Sequence, residues 1–108
     1  MQTLVNQVVA EAKLAAQKAT EDFLAKHGDR DACGFASVKI YKVRSNSKLG
    51  KALASVGFRK SYDRSLELWN PSGSWTQCIT AKEVGAQAAA AIVSEKLGVT
   101  CYVWSRMD

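Results

Sequence analysis

The stretch from Cys33 to Lys48, CGFASVKIYKVRSNSK, constrains the fold more than any other part of this sequence. As far as Val43 its side chains alternate with a period of two, which is typical of a strand with two different faces. One face would carry Ala36, Val38 and Ile40, and the other Phe35, Ser37, Lys39, Tyr41 and Val43. The stretch therefore predicts a strand that leads into a polar, basic segment.

That polar segment predicts the start of a helix. Leu49 and Leu53 follow it at helical spacing. Ser45 or Ser47 would cap the helix by accepting hydrogen bonds from its free backbone amides, and Gly57 would end it. Because such amides attract anions, a helix start between two cations is also a candidate phosphate pocket. A capped helix with solvated basic neighbours is the alternative.

Residues 3–26 predict a long amphipathic helix that ends at His27-Gly28. Its apolar positions recur at steps of three and four: Leu4, Val5, Val8, Ala12, Ala15, Ala19 and Phe23. Two arrangements remain open at this point. The helix covers one face of a sheet, or part of its stripe forms a homodimer, for which Leu4 and Val8 would have to be exposed.

The region after residue 65 predicts a hairpin. Residues 66–69 and 75–79 both alternate as strands, and the turn Asn70–Gly73 lies between them. We therefore expect Trp69 and Trp75 to pack across the hairpin, with an exposed partner anchor as the second interpretation.

The rest of the chain predicts one more helix and one more strand. Thr80–Glu83 reads as a capping box, in which the first and last side chains satisfy each other's free amides. The helix would run to Leu97 and stop at Gly98, and residues 99–104 alternate as a strand.

This order of elements predicts an α+β fold, in which a long N-terminal helix precedes a ferredoxin-like βαββαβ sandwich with an antiparallel sheet. We expect a single domain over residues 1–108, with the helix in 1–28 and the core in 33–105. The N-terminal helix would cover part of the open face of the sheet. The strands 33–43 and 66–69 are expected to run parallel.

That direction places two groups of polar residues at opposite ends of the sheet. One end would hold Arg44, Asn46, Lys48, Asn70 and Ser72. The other would hold Asp29–Asp31, Arg59–Arg64, Thr80–Lys82 and Arg106–Asp108.

Composition narrows the function classes. The chain has a net charge of +5, which favours anionic partners in general terms. No apolar run reaches the roughly 20 residues that a bilayer crossing needs, and we expect a soluble cytoplasmic protein without membrane contact. The three cysteines are expected to be buried and reduced, and one histidine leaves too few ligands for a structural zinc. No catalytic motif, metal site or cofactor site is predicted.

The segments GDRDACGFA (28–36), RSNSKLGKAL (44–53), GFRKSY (57–62), LWNPSG (68–73), AKEVGA (81–86) and the terminal SRMD (105–108) resemble a group of small, uncharacterised bacteriophage-encoded proteins. The resemblance covers nearly the whole chain after the first helix. It implies an origin in a bacteriophage and a location in the infected bacterial cytoplasm, and it implies no activity or site residues.

Three functions remain. The leading hypothesis is a non-catalytic phage accessory protein that binds a host or phage protein, and the candidate anchors are Trp69, Asn70, Ser72 and Trp75. The first alternative is nucleic-acid binding. It ranks second because a charge of only +5, distributed over both ends of the sheet, is weaker than nucleic-acid binders usually show, and because aromatic residues are not interleaved with the cations along the sequence. The second alternative is capture of a small phosphorylated metabolite at the helix start from Arg44 to Lys48. The candidate residues for anion or nucleic-acid binding are Arg44, Ser45, Asn46, Ser47, Lys48, Arg59, Lys60 and Arg64.

Overall fold

The computed structural model describes residues 1–29 and 32–107. It is an α+β fold with a long N-terminal helix and a four-stranded antiparallel sheet. The elements are α1 (Gln2–His27), β1 (Gly34–Tyr41), α2 (Lys48–Ser55), β2 (Arg59–Lys60), β3 (Leu66–Trp69), α3 (Ile79–Leu97) and β4 (Thr100–Met107). None of the helices within these described ranges is both long enough and apolar enough to cross a bilayer.

Strand β1 lies in the middle of the sheet, whose order is β2-β3-β1-β4. Val38 of β1 lies opposite Leu68 on one side and opposite Val103 on the other. Every neighbouring pair of strands is antiparallel. Side chains from β3, β1 and β4 therefore form rows across each face of the sheet.

One face of the sheet packs against α2 and α3, and α1 packs in turn on these two helices. Ala36, Val38 and Ile40 point into this core and are fully buried, as the alternation of the sequence predicts. Helix α3 packs across β1 and β4, and α2 packs against β3. The core also contains Val5, Val8, Val9, Ala12 and Ala16 of α1.

Helix α1 packs on α3 and α2, and the prediction that it covers the open face of the sheet is wrong. Thr20 shows how close the contact is, since its buried hydroxyl donates to the Ala81 carbonyl at 2.7 Å. Gly85 of α3 faces Thr20 at this crossing, where a Cβ would have no room. Of the two residues expected to be exposed in a helical dimer, Val8 is buried and Leu4 is 48% exposed.

The predicted ends of the helices are largely confirmed. Helix α1 ends at Gly28, and α3 ends at Gly98, whose φ of 65° is the left-handed conformation that glycine adopts easily. Ser47 caps α2 by accepting from the Gly50 amide at 3.0 Å. Helix α3, however, begins at Ile79 rather than in a capping box, and the Cys78 sulfur accepts from the Ala81 amide.

The predicted hairpin around Asn70–Gly73 is wrong. Strand β3 forms its hairpin with β2, through residues 61–65, and Lys60 pairs with Leu66. Residues 74–77 form no strand, and an isolated bridge joins Cys78 to Cys33. Cys33 is exposed, contrary to its predicted burial, and its thiol donates to Gln77 at 3.2 Å.

The predicted grouping of loops at the ends of the sheet is also wrong, because β3 runs antiparallel to β1. The Asn70 amide donates to the Ala36 carbonyl, so the turn at 70–73 lies beside the beginning of β1. The loop that contains Arg44 instead shares the other end of the sheet with residues 61–65. Arg30, Asp31 and Asp108, which the predicted second group included, lie outside the described residues.

Candidate nucleic-acid interface

Among the described residues no helix packs on the second face of the sheet, and the side chains there form the surface we call the open face. Open-face and core positions alternate along each strand. Strand β1 therefore contributes to the open face the residues that the sequence assigned to its second face. The members of the open face are Phe35, Ser37, Lys39, Tyr41, Arg59, Glu67, Trp69, Thr100, Tyr102, Trp104 and Arg106.

Five of these eleven side chains are aromatic, and they lie in neighbouring positions on three strands. The rings of Phe35 and Trp69 have centroids 5.0 Å apart, and those of Tyr41 and Tyr102 are 5.4 Å apart. Trp69 and Tyr102 are 53% and 58% exposed, which is high for large apolar side chains. The open face therefore presents aromatic surface to solvent.

Cations lie directly beside these rings. The Lys39 ammonium is 5.1 Å from the centroid of the Trp104 ring, and Arg106 is 6.0 Å from that of Phe35. Lys82, at the start of α3, approaches the Phe35 ring at 5.3 Å and donates to the Gly34 carbonyl. Aromatic and basic residues that are far apart in the sequence are thus interleaved on one surface.

An ion pair holds the loop 61–65 against the open face. Asp63 accepts from the nearly buried Lys39 ammonium at 2.9 Å and from the Tyr41 hydroxyl at 3.2 Å. The hydrogen bond from Lys39 and those from the Ser65 hydroxyl and amide hold the pKa of the Asp63 carboxyl well below its usual range. Burial lowers the pKa of Lys39, but the hydrogen bond to Asp63 and its charge outweigh that effect and raise it.

A cavity of about 540 Å³, which we call the basic pocket, lies at the end of the sheet where β1 and β2 finish. It is lined by Lys42, Val43, Arg44, Ser45, Asn46, Lys60 and Arg64. No carboxylate lines the pocket, and none of its four cations takes part in the ion pairs found within residues 1–29 and 32–107. Such a concentration of unneutralised positive charge attracts phosphate groups.

The backbone around the basic pocket is unusual. Lys42 and Arg64 both have positive φ angles, 65° and 69°, which non-glycine residues seldom adopt. Such conformations occur more often at functional sites, where the surrounding structure imposes them. Here they turn the chain at the edges of the pocket.

The structure brings most of the predicted anion-binding residues together. Arg44, Ser45, Asn46, Lys60 and Arg64 all line the basic pocket. The other three predicted residues do not line it. Ser47 caps α2, Lys48 is exposed in the first turn of α2, and Arg59 lies opposite Glu67 on the open face.

The structure does not bring the predicted partner-binding residues together on one surface. Trp69 lies on the open face, whereas Trp75 is 99% exposed on the irregular segment, so they do not pack across a hairpin. Asn70 donates to the Ser74 carbonyl, and Ser72 donates to the Asn70 side chain, which makes both part of the turn. Trp75 borders a second cleft of about 280 Å³, together with Gln17, Glu21, Ser72, Gly73 and Ser74.

Sequence reasoning missed Trp104, Arg106, Lys82 and Phe35 as members of a site. The alternation within β1 and β4 was a usable signal, since it separates Phe35 and Trp104 from the core positions. Their proximity could not be predicted from the sequence, because it depends on which strands are neighbours in the sheet.

Metal-binding clusters and the environment of the Cys101 thiol bear on two other kinds of chemistry in the described residues. Within residues 1–29 and 32–107, no three His, Cys, Asp or Glu side chains lie close enough to hold a metal ion. Burial raises the pKa of the Cys101 thiol to about 11, so this thiol is protonated at neutral pH.

Comparison with known proteins provides no relative. No protein-family model matches the chain, and neither a curated protein nor a solved structure matches it significantly.

Proposed function

We propose that this protein binds single-stranded nucleic acid, with bases stacked on the open face and phosphates held by the basic pocket and the neighbouring cations. The observation that carries the proposal is the interleaving of aromatic and basic side chains on a sheet face that no helix covers. Exposed rings stack on unpaired bases, and adjacent cations neutralise the backbone between them.

The shape of the surface favours a single strand over a duplex. The open face is a sheet surface with rings in neighbouring rows, which suits bases that are turned outward from their backbone. A duplex keeps its bases stacked inside and would offer mainly phosphates to this face. The negative charge of a duplex suits the cations of the open face, but a duplex would leave the exposed rings of Trp69 and Tyr102 without a stacking partner.

Nucleic-acid binding thereby moves ahead of protein binding. It ranked second from the sequence for two reasons, a net charge of only +5 and the lack of interleaving between aromatic residues and cations along the chain. The second reason does not apply to the folded sheet, and the first is offset by four cations gathered around one pocket. Capture of a phosphorylated metabolite would use the basic pocket but would leave the aromatic rows without a role.

Binding of a host or phage protein is the second candidate function. It is supported by Trp75, whose side chain is almost completely exposed beside a cleft on the α1 side of the turn. A phage origin, with action in the infected bacterial cytoplasm, fits either function and stays a proposal based on the sequence resemblance alone.

The ferredoxin-like arrangement is the fold we propose for residues 33–107. Its support is the strand order with antiparallel neighbours throughout, together with the succession β1, α2, β2, β3, α3, β4. This arrangement leaves one sheet face uncovered, as the proposed mode of binding requires.

Fluorescence anisotropy tests the function directly. The probes are labelled oligothymidine and oligouridine of about 12 nucleotides, within the range that one such surface occupies, and a duplex of the same length. We expect both single strands to bind more tightly than the duplex. Trp69→Ala should weaken single-strand binding roughly 5- to 150-fold, which is the contribution of one stacked base.

Trp75→Ala is the matched control, because it removes an exposed tryptophan that lies outside the open face. It should leave the affinity for the oligonucleotides unchanged. Equal losses in the two tryptophan variants, or no binding at low salt, would contradict the proposal. Retention of a protein partner that Trp75→Ala abolishes would support the second candidate instead.

A salt titration tests the basic pocket separately. Neutralising Lys60 and Arg64 with glutamine should make the affinity less dependent on salt, by about 0.7 in the logarithmic slope for each phosphate that the protein no longer neutralises. Lys18→Gln with Lys26→Gln, on the exposed surface of α1, removes the same charge and should change the slope little. If both pairs reduce the slope equally, the pocket has no special role.

A further inference from the structure

The centre of the open face contains a hydroxyl group without a hydrogen-bonding partner. Ser37 is fully buried, and its Oγ is the one buried side-chain nitrogen or oxygen in the described residues that lacks a partner. It lies opposite Trp69 on β3 and opposite Trp104 on β4. Two tryptophans therefore flank this hydroxyl in a single row across the sheet.

Packing alone does not account for a serine at this position. A buried hydroxyl without a partner loses its hydrogen bonds to water and destabilises the fold, and such groups are rare in native proteins. Alanine would fit the same space without that loss. Ser65, the other fully buried serine, donates to Asp63 at 2.6 Å, so the structure does satisfy a buried hydroxyl elsewhere.

The spacing of the strands suits one flat ring between the two tryptophans. Neighbouring strands lie about 4.8 Å apart, so the backbones of Trp69 and Trp104 are separated by about 9.6 Å, with β1 between them. A base stacked on both sides occupies about 6.8 Å, which is twice the spacing of about 3.4 Å between stacked bases. Two residues beside the row contact its tryptophans: the Phe35 ring contacts Trp69, and the Lys39 ammonium lies over the Trp104 ring.

We propose that Trp69 and Trp104 hold one unpaired nucleobase between them and that the Ser37 hydroxyl forms a hydrogen bond with the polar edge of that base. This inference rests on the proposed function and goes further, since it assigns one position of the bound strand to one row of the sheet. A hydroxyl both donates and accepts, so it pairs with ring nitrogens, carbonyls or amino groups. Because Ser37 is fully covered in the unbound structure, the side chains above it move aside when the base enters.

The test compares stability and binding in Ser37→Ala. Removal of an unpartnered hydroxyl should raise the melting temperature, by about 5 °C. The same change should weaken binding of oligothymidine about two- to tenfold, the contribution of one net hydrogen bond. A purely structural serine would show the rise in melting temperature without any loss of affinity.

An abasic deoxyribose-phosphate chain of the same length is the control ligand. Because it has no base to contact Ser37, its affinity should be equal for the wild type and Ser37→Ala. Ser37→Cys offers a second variant that fills the space but forms weak hydrogen bonds, and its affinity for oligothymidine should be intermediate.

The outcomes separate this inference from the proposed function. If Trp69→Ala weakens binding but Ser37→Ala and Ser37→Cys do not, the hydrogen bond at Ser37 is wrong and the binding face stands. If neither Trp69→Ala nor the serine variants change the affinity, both are wrong. A loss of affinity in Ser37→Ala that also appears with the abasic chain would likewise overturn the base contact.

Discussion

The two faces of β1 are built from alternate residues of one strand, yet they are buried in different ways. Val38 and Ile40 lie on the face that packs against the helices, and they belong to the main core. Ser37 and Lys39 are almost as inaccessible, but only neighbouring side chains and the short loop 61–65 cover them. Burial on the first face therefore depends on the helices, while burial on the second face depends on side chains of the sheet itself and on one short loop.

The largest expected effect comes from a core position of the first face. Ile40→Ala should lower the free energy of unfolding by about 2–5 kcal/mol, because the removed atoms leave a cavity that the helices cannot fill. Urea denaturation followed by circular dichroism measures this loss. A loss below about 1 kcal/mol would mean that the helical layer is not the principal source of stability.

A second change tests how tightly the same face meets the start of α3. At Gly34 an added Cβ would lie 2.5 Å from the Ile79 side chain and 2.7 Å from the Arg106 carbonyl oxygen. Because that oxygen belongs to the paired strand β4, Gly34→Ala should destabilise the protein by about 1–3 kcal/mol. Thr100→Ala, at an exposed position of β4, is the control and should stay within about 0.5 kcal/mol in the same denaturation experiment.

A third change separates the faces by their response to pH. The folded-state pKa of Asp63 lies below its unfolded value of about 3.9, so the stability it supplies is present above that pH and disappears as the pH falls through the folded-state pKa. Asp63→Asn should lower the urea midpoint at neutral pH, and the difference from the wild type should shrink on acidification below about pH 4. A difference that is equal at neutral and acid pH would show that the Lys39–Asp63 pair does not hold the loop.

The smallest effect on stability is expected on the exposed part of the open face. Tyr102 is 58% exposed and makes one edge contact with Tyr41. Tyr102→Ala should therefore cost about 1 kcal/mol or less in thermal or urea unfolding, although it should weaken oligonucleotide binding. A loss as large as that of Ile40→Ala would contradict the distinction between the faces.

Much of the fold was predictable because its signals are local. The alternation of β1 assigns Ala36, Val38 and Ile40 to one face, and the structure buries all three. The capping serine of α2 and the glycines after α1 and α3 also follow from neighbouring residues. The hairpin was mispredicted because residues 75–79 alternate like a strand, whereas β2 contains only the two charged residues Arg59 and Lys60 and gives no such pattern.

The candidate site was predictable in part. Arg44, Ser45 and Asn46 are chain neighbours, so their shared loop was visible in the sequence, and the structure adds Lys60 and Arg64 to it. The aromatic half of the site was hidden, because Phe35, Trp69 and Trp104 come from three strands that are widely separated along the chain. Only the sheet order places them together.

The sequence by itself determined where the long helices and the central strand lie and which side of that strand enters the core. These features depend on side-chain periodicity and on caps within a few residues. The tertiary structure decided that β3 runs antiparallel to β1, that α1 joins the helical layer, and that the second face stays uncovered. The reason is physical: pairing and packing depend on contacts between distant segments, which a local pattern permits in several ways and only the assembled core selects.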